Sequence, residues 1–169
     1  IADGAESDAE KVARLEAFFR RQGLSYATDD LPGPGDPVDE FLFEKKRGYC
    51  EFFASAFATL LRLSGVPARL VGGYYGGEYN KMGGYYVGTE DTAHVWVEAL
   101  LDGRRWVRID PSTLAQNATS ALEAPRRRGI GLGRRLLDAA NYHWNRAVIT
   151  YDLGRQLQLL RQANLQARP

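Results

Sequence analysis

Cys50 is the single cysteine of this 169-residue chain and lies in the run Arg47-Gly48-Tyr49-Cys50-Glu51-Phe52-Phe53, where an extended, glycine-punctuated stretch gives way to an amphipathic helix. A cysteine at a helix N-terminus feels the positive end of the helix dipole and the unpaired backbone N–H groups. Both favour thiolate over thiol and make a nucleophile near neutral pH. A lone cysteine is more commonly a buried, inert apolar residue. What shifts the balance is His94, which opens one predicted strand, and Asp110, which closes the next. These three groups divide the labour of acyl transfer: the thiol attacks a carbonyl, the imidazole exchanges the proton, and the carboxylate fixes the imidazole tautomer and steadies the imidazolium. The backbone N–H of Cys50 is one natural oxyanion donor; nothing in the sequence singles out a second. The other histidine, His143, sits in the helical run Asn141-Tyr142-His143-Trp144-Asn145, which contains no carboxylate. One cysteine and two separated histidines give no zinc-binding spacing.

Several elements must position these groups. Ser7 or Asp8 can cap a helix over Asp8 to Gln22 with an apolar stripe of Val12, Leu15, Phe18 and Phe19, and Gly23 stops it. A short strand over Leu24 to Thr28 is followed by a turn-rich stretch of Asp, Pro and Gly that excludes regular structure, and Val38 to Lys45 has room for one or two helical turns. The strongest helix pattern runs from Cys50 to Leu63. There Phe53, Phe57, Leu60 and Leu61 share a face, Ala54, Ala56 and Ala58 permit close packing, and Gly65-Val66-Pro67 ends the run. Ala68 to Tyr75 reads as a strand. The echoing Gly72-Gly73-Tyr74-Tyr75 and Gly83-Gly84-Tyr85-Tyr86 segments match neither glycine-rich phosphate motif and read as a hairpin or a loop beside a cleft.

Turn parity decides where His94 and Asp110 point. In His94 to Leu101 the odd-numbered Val95, Val97, Ala99 and Leu101 share a face, and in Arg104 to Asp110 so do Val107 and Ile109, so the apolar faces coincide only if odd residues pair with odd. A two-residue Asp102-Gly103 turn breaks that parity. A three-residue loop, Leu101-Asp102-Gly103, built as a type I turn with a left-handed glycine, restores it. That register sets His94 opposite Asp110 and Trp96 opposite Arg108, the latter a cation–π pair. A slip of two residues leaves His94 and Asp110 on one face.

The composition, 44% hydrophobic and 25% charged with a formal net charge of +1, suits one globular unit and argues against a bulk electrostatic partner. The charge is uneven: residues 1–119 hold 13 Lys and Arg against 18 Asp and Glu, and residues 120–169 hold 9 against 3. A single cysteine excludes an internal disulfide and leaves the redox compartment open. No apolar stretch is long enough to span a bilayer, and the chain begins at Ile1 without an initiator Met, as a domain excised from a longer protein would.

Four blocks then carry a resemblance. Gly48-Tyr49-Cys50-Glu51-Phe52-Phe53-Ala54, Leu63-Ser64-Gly65-Val66-Pro67-Ala68-Arg69, Ala93-His94-Val95-Trp96-Val97-Glu98 and Trp106-Val107-Arg108-Ile109-Asp110-Pro111, in that order, resemble the core of the transglutaminase-like superfamily. Within it, they are most similar to membrane-anchored bacterial proteins of the TgpA type. The resemblance covers about residues 40 to 115. It implies an α+β, papain-like fold in which the nucleophile helix packs on an antiparallel β-sheet, with Cys50, His94 and Asp110 as the catalytic triad. Tyr49 and Trp96 become candidates for substrate binding. The implied reaction is acyl transfer on glutamine carboxamides, the Cys50 thioester being resolved by an amine or by water, with no metal and no cofactor. Implied partners are glutamine-bearing proteins or peptides, primary amines and cell-envelope components, not nucleic acid. The implied location is the periplasm, near the inner membrane through flanking segments. An amidase or protease, an arylamine N-acetyltransferase-like enzyme, and a non-catalytic module binding peptidoglycan or protein are the alternatives the same triad allows.

Residues 1–120 thus read as the catalytic domain and residues 121–169 as a basic helical extension packing on or near it, with helices over about Leu136 to Ile149 and Leu153 to Ala167. The Arg126 to Arg135 stretch lacks the aromatic interleaving of a nucleic-acid surface and suits proximity to anionic lipid headgroups. Asn117-Ala118-Thr119 fits a glycosylation sequon.

Overall fold

The computed structural model of the chain describes Ala2, residues 4–127 and residues 131–145. Helix α1 (Asp8–Gln22) starts where the Ser7 side chain accepts the Glu10 N–H and ends at Gly23, left-handed at φ 71°, so a side chain and a glycine terminate it as the sequence predicts. Strand β1 (Ser25–Tyr26) follows. Beyond the turn-rich loop, α2 (Pro37–Asp39) runs into a π-helical turn over Glu40–Lys45, the predicted helical turns in a wider winding. Strand β2 (Arg47–Gly48) then pairs with β1 in parallel, Tyr26 opposite Gly48. Ion pairs Lys45–Asp30 and Arg47–Asp29 tie the loop down beside it.

Helix α3 (Cys50–Leu63) has the predicted bounds and face. Phe53, Phe57 and Leu61 are fully buried, each such burial contributing about 1.5–3 kcal/mol. Phe57 meets Phe19 of α1 edge-on with ring centroids 5.1 Å apart, and Phe53 meets Phe41 the same way at 4.9 Å. Ala54, Ala56 and Ala58 are buried as well, their small size letting the helix lie close on its neighbours. Leu60 is only half-buried, at the margin of the stripe.

Strand β3 (Ala68–Tyr74) leads to β4 (Glu78–Asn80) and β5 (Tyr85–Val87), which pair as an antiparallel hairpin. Next come β6 (Ala93–Leu101) and β7 (Arg105–Ile109). Strands β3, β6 and β7 form an antiparallel sheet with β6 in the centre, and α3 packs on β6 and β3. The fold is therefore α+β, with the Cys50 helix laid against an antiparallel sheet.

The β6–β7 register keeps odd residues opposite odd but is two residues from the one predicted: Val97 faces Ile109, Ala99 faces Val107 and Leu101 faces Arg105. The loop is Asp102-Gly103-Arg104. Asp102 and Gly103 are both left-handed, at φ 50° and 63°, and the Leu101 carbonyl accepts the Arg104 N–H at 3.0 Å. Two left-handed residues give the twist that suits flanking strands. Leu101 therefore stays in the strand, buried, and Arg104 becomes the extra residue that parity demands. Asp8 holds this turn by accepting the Asp102 N–H at 2.9 Å. Arg108 consequently faces Glu98 rather than Trp96 in the ladder, yet its guanidinium still lies 4.0 Å from the Trp96 ring centroid, reached diagonally.

The chain divides into two compact units, Ile1–Gly77 with Gly88–Arg128, and Glu78–Val87 with Gly129–Pro169. The first holds the sheet, α1, α3 and helix α4 (Ala118–Arg127). The division falls beyond residue 120, and the β4–β5 hairpin groups with the C-terminal segment. In the second unit, helix α5 (Leu132–Trp144) begins four residues before the predicted Leu136. The buried Asn80 donates to the Arg135 carbonyl at 3.1 Å, Glu78 ion-pairs with Arg135, and Tyr85 packs on Tyr142 with centroids 4.4 Å apart. The predicted helix over Leu153 to Ala167 lies outside the described residues. No described helix is long and apolar enough to cross a membrane.

Candidate active site

The site grows from the first turn of α3. Tyr49 enters it in extended conformation with no side-chain cap, and its carbonyl accepts the Phe52 N–H at 3.0 Å, so the N–H of Cys50, at the first helical position, lacks an intrahelical acceptor. Gly48 makes the entry possible, since a Cβ there would stand 2.7 Å from the Phe52 Cβ. Cys50 is free and buried.

His94, only 4% exposed, reaches Asp110 through Nε2 to Oδ2 at 2.8 Å. This contact is diagonal across the shifted register. Asp110 is itself fixed: its Oδ1 accepts the Ser112 N–H at 3.1 Å, capping the 3-10 turn Pro111–Leu114, and its carbonyl accepts the Thr113 hydroxyl at 2.7 Å. With Nε2 committed to the carboxylate, Nδ1 is left for the thiol. The Tyr75 ring packs on the imidazole with centroids 5.1 Å apart, and Trp96 stacks near it at 6.5 Å.

Electrostatics favour an ion pair. Burial by itself raises the Cys50 thiol, but the His94 hydrogen bond, the Val95 N–H, the His94 charge and the Tyr26 hydroxyl outweigh it and bring it below its ordinary value. Burial by itself lowers His94, and hydrogen bonds to Asp110 and Cys50 with their charges lift it to about 9. The two groups titrate as a pair. As pH rises the thiol ionises early and His94 keeps its proton until about pH 9, so thiolate and imidazolium coexist between those points. Iodoacetamide alkylation of Cys50 should therefore show an inflection below the roughly 8.5 of a free cysteine, and His94→Ala should move it upward. A wild-type inflection at or above the free-cysteine value contradicts the pair.

Tyr26 is the residue that sequence reading missed. Burial, followed by the charge of the neighbouring Cys50, raises the pKa of its hydroxyl strongly. A cavity of about 320 Å³ opens beside the imidazole, with Tyr26, Thr28, Tyr75, Asp91, His94 and Leu122 in its wall. Tyr49 and Trp96 do not line it. The Tyr49 hydroxyl donates to Glu51 at 3.1 Å and its ring sits edge-on to Phe52. Trp96 is sandwiched between Arg108 and Gly73, where a Cβ would come within 2.6 Å of its ring. His143 lies exposed on α5, in the second unit. Asn117 of the sequon uses its amide on the Tyr26 backbone. Among the described residues no three His, Cys, Asp or Glu side chains are grouped to hold a metal ion.

The chain has known relatives. The sequence model of the transglutaminase-like superfamily matches residues 1–111. A protein-glutamine gamma-glutamyltransferase of Pseudomonas aeruginosa is 33% identical over 162 residues, covering 83% of this chain and 24% of its own length. The uncharacterized protein YebA of Bacillus subtilis is 42% identical over 110 residues, 61% of this chain and 15% of its own. The crystal structure of the periplasmic domain of TgpA from P. aeruginosa superposes with a TM-score of 0.61 at 34% identity, over 69% of this chain and 41% of that one. Its ethylmercury-bound form gives 0.59 at 35%, over 66% and 40%. The chain spans a quarter or less of the curated relatives it matches. With the family's sequence pattern running through α1, α3 and both strands of the β6–β7 hairpin, the chain belongs to the transglutaminase-like superfamily.

Proposed function

We propose that this domain transfers acyl groups from glutamine carboxamides through a Cys50 thioester, as a protein-glutamine gamma-glutamyltransferase. The observation that carries the reading is the buried His94–Asp110 hydrogen bond beside Cys50 at the start of α3, with His94 drawing the thiol below its ordinary value. The Cys50 thiolate attacks the carboxamide carbon, the C=O electron pair moves onto oxygen, and its return expels the amide nitrogen, which leaves as ammonia with the His94 proton. Acylation removes the thiolate that helps hold His94 up near 9, so the imidazole, having given its proton to the departing nitrogen, stays neutral and is free to accept one from the incoming amine or water. Asp91 in the cavity wall places a negative charge on the imidazole side, suited to drawing in a cationic amine.

The solved structures of a periplasmic domain support a periplasmic setting, and the proposal extends it to a place in a larger membrane-anchored protein with proteins or peptides of the cell envelope as glutamine donors. Mass spectrometry of the domain with glutamine-containing peptides, with and without a primary amine, tests the reading. Expected results are a Cys50 thioester and ammonia release, then a peptide–amine product or deamidated peptide. No thioester, no ammonia and unchanged peptides would overturn it.

A further inference from the structure

Tyr26 lies on a strand of two residues, yet its backbone is held from both sides. On one side it pairs with Gly48, two residues before Cys50, and the Ala27 N–H donates to the Gly48 carbonyl at 3.0 Å. On the other, Asn117 acts as a substitute strand: its Oδ1 accepts the Tyr26 N–H at 2.7 Å and its Nδ2 donates to the Tyr26 carbonyl at 2.9 Å. The ring stacks on the buried Phe53 at 6.2 Å and 21°. The side chain borders the cavity beside His94, with its hydroxyl close enough to Cys50 to feel the thiolate. An aromatic side chain clamped in this way, with its one polar atom beside the nucleophile, has no function in the steps assigned to Cys50, His94 and Asp110.

We infer that the Tyr26 hydroxyl is the second oxyanion donor, joining the Cys50 backbone N–H. This rests on Cys50 being an acyl-transfer nucleophile and not on the identity of the acyl group. In the resting site the O–H donates to the thiolate. When the S–C bond forms, the C=O electron pair passes to an oxygen on the same carbon that the sulfur has joined, and negative charge leaves sulfur for that oxygen. The O–H follows it by turning about its own C–O bond, a rotation that moves no heavy atom. Collapse then re-forms C=O, breaks the C–N bond and sends the His94 proton to the departing nitrogen, while Tyr26 keeps its proton throughout. Burial and the neighbouring thiolate charge both disfavour a phenolate, so the donor is present at any working pH. Preorganised donors aimed at developing charge are among the largest contributions to acyl-transfer rates.

The test compares Tyr26→Phe with wild type, both shown folded by circular dichroism. The variant keeps the ring on Phe53 and loses only the hydroxyl. Three rates are read above the thiol inflection of both proteins: acylation by a glutamine peptide, the p-nitrophenolate burst from p-nitrophenyl acetate, and alkylation by iodoacetamide. Alkylation is a displacement at saturated carbon and forms no oxyanion. Tyr26→Phe should slow peptide acylation roughly 10²–10³-fold and the ester burst by at least about tenfold, with alkylation within about threefold. If wild type fails to acylate with peptide, the glutamine reading falls and the ester burst alone decides the role of Tyr26. Any pattern in which acylation is not slowed at least about tenfold more than alkylation overturns the proposal.

Discussion

Cys50→Ala will abolish thioester formation and lower turnover by roughly 10⁶-fold, the scale on which removing a nucleophile from a cooperating triad acts. The reason is local. Cys50 is the only thiol in the chain, so no neighbouring sulfur can substitute. His94 and Asp110 retain their mutual hydrogen bond, but neither presents a nucleophile to a carbonyl. The fold should survive, because the helix face that anchors α3 is made by Phe53, Phe57 and Leu61, with Cys50 at its very first turn. The variant also separates enzyme from binding module: bound peptide without ammonia release is expected from Cys50→Ala, whereas wild-type protein should release ammonia. Turnover within tenfold of wild type, with the melting transition unchanged, would remove Cys50 from the mechanism.

Much of this site could be read from residue order, and the physical reason differs from residue to residue. Helix α3 was legible because its apolar spacing, its glycine-rich entry and its Gly65-Val66-Pro67 exit agree. That His94 and Asp110 share a face was legible because sheet alternation has period 2, and a two-residue slip leaves every side chain on its own side. The slip itself was not legible. It depends on Asp102 adopting a left-handed conformation, which an Asp tolerates but does not announce, and on Asp8 reaching across 94 positions to hold the turn. Tyr26 was less legible still. A two-residue strand has no periodicity, its parallel partner lies beyond a loop of Pro and Gly, and the Asn117 amide that completes its backbone pairing is 91 positions away. Tyr49 and Trp96, the substrate-binding candidates the resemblance implies, do not line the cavity. Tyr49, at the helix cap, turns its hydroxyl to Glu51, and Trp96, on the same face as His94, is covered by Arg108, whereas Tyr26, Thr28, Tyr75 and Asp91 reach the cavity wall from other elements.

Asp110→Asn should lower turnover by roughly 10³-fold or more, although it changes one oxygen for one nitrogen. Both carboxylate oxygens of Asp110 act as acceptors: Oδ2 for His94 Nε2 at 2.8 Å and Oδ1 for the Ser112 N–H at 3.1 Å. The Asp110 side chain is only 12% exposed, so water cannot freely replace either partner. An amide has one acceptor to offer two donors. If its oxygen stays with Ser112, its NH₂ faces Nε2, which must then accept; the ring proton moves to Nδ1, where the imidazole can no longer take a proton from the thiol. If its oxygen turns to His94, the NH₂ opposes the Ser112 N–H, a buried donor-to-donor contact costing about 1–3 kcal/mol. Either way the carboxylate charge is lost, and with it part of what lifts His94 to about 9. The His94 pKa should therefore fall, the Cys50 alkylation inflection should rise, and the pH window in which thiolate and imidazolium coexist should narrow from both ends. Turnover and the alkylation profile, measured together across pH, read this directly. Activity within about tenfold of wild type with an unshifted alkylation profile would mean that Asp110 merely caps the turn that follows it.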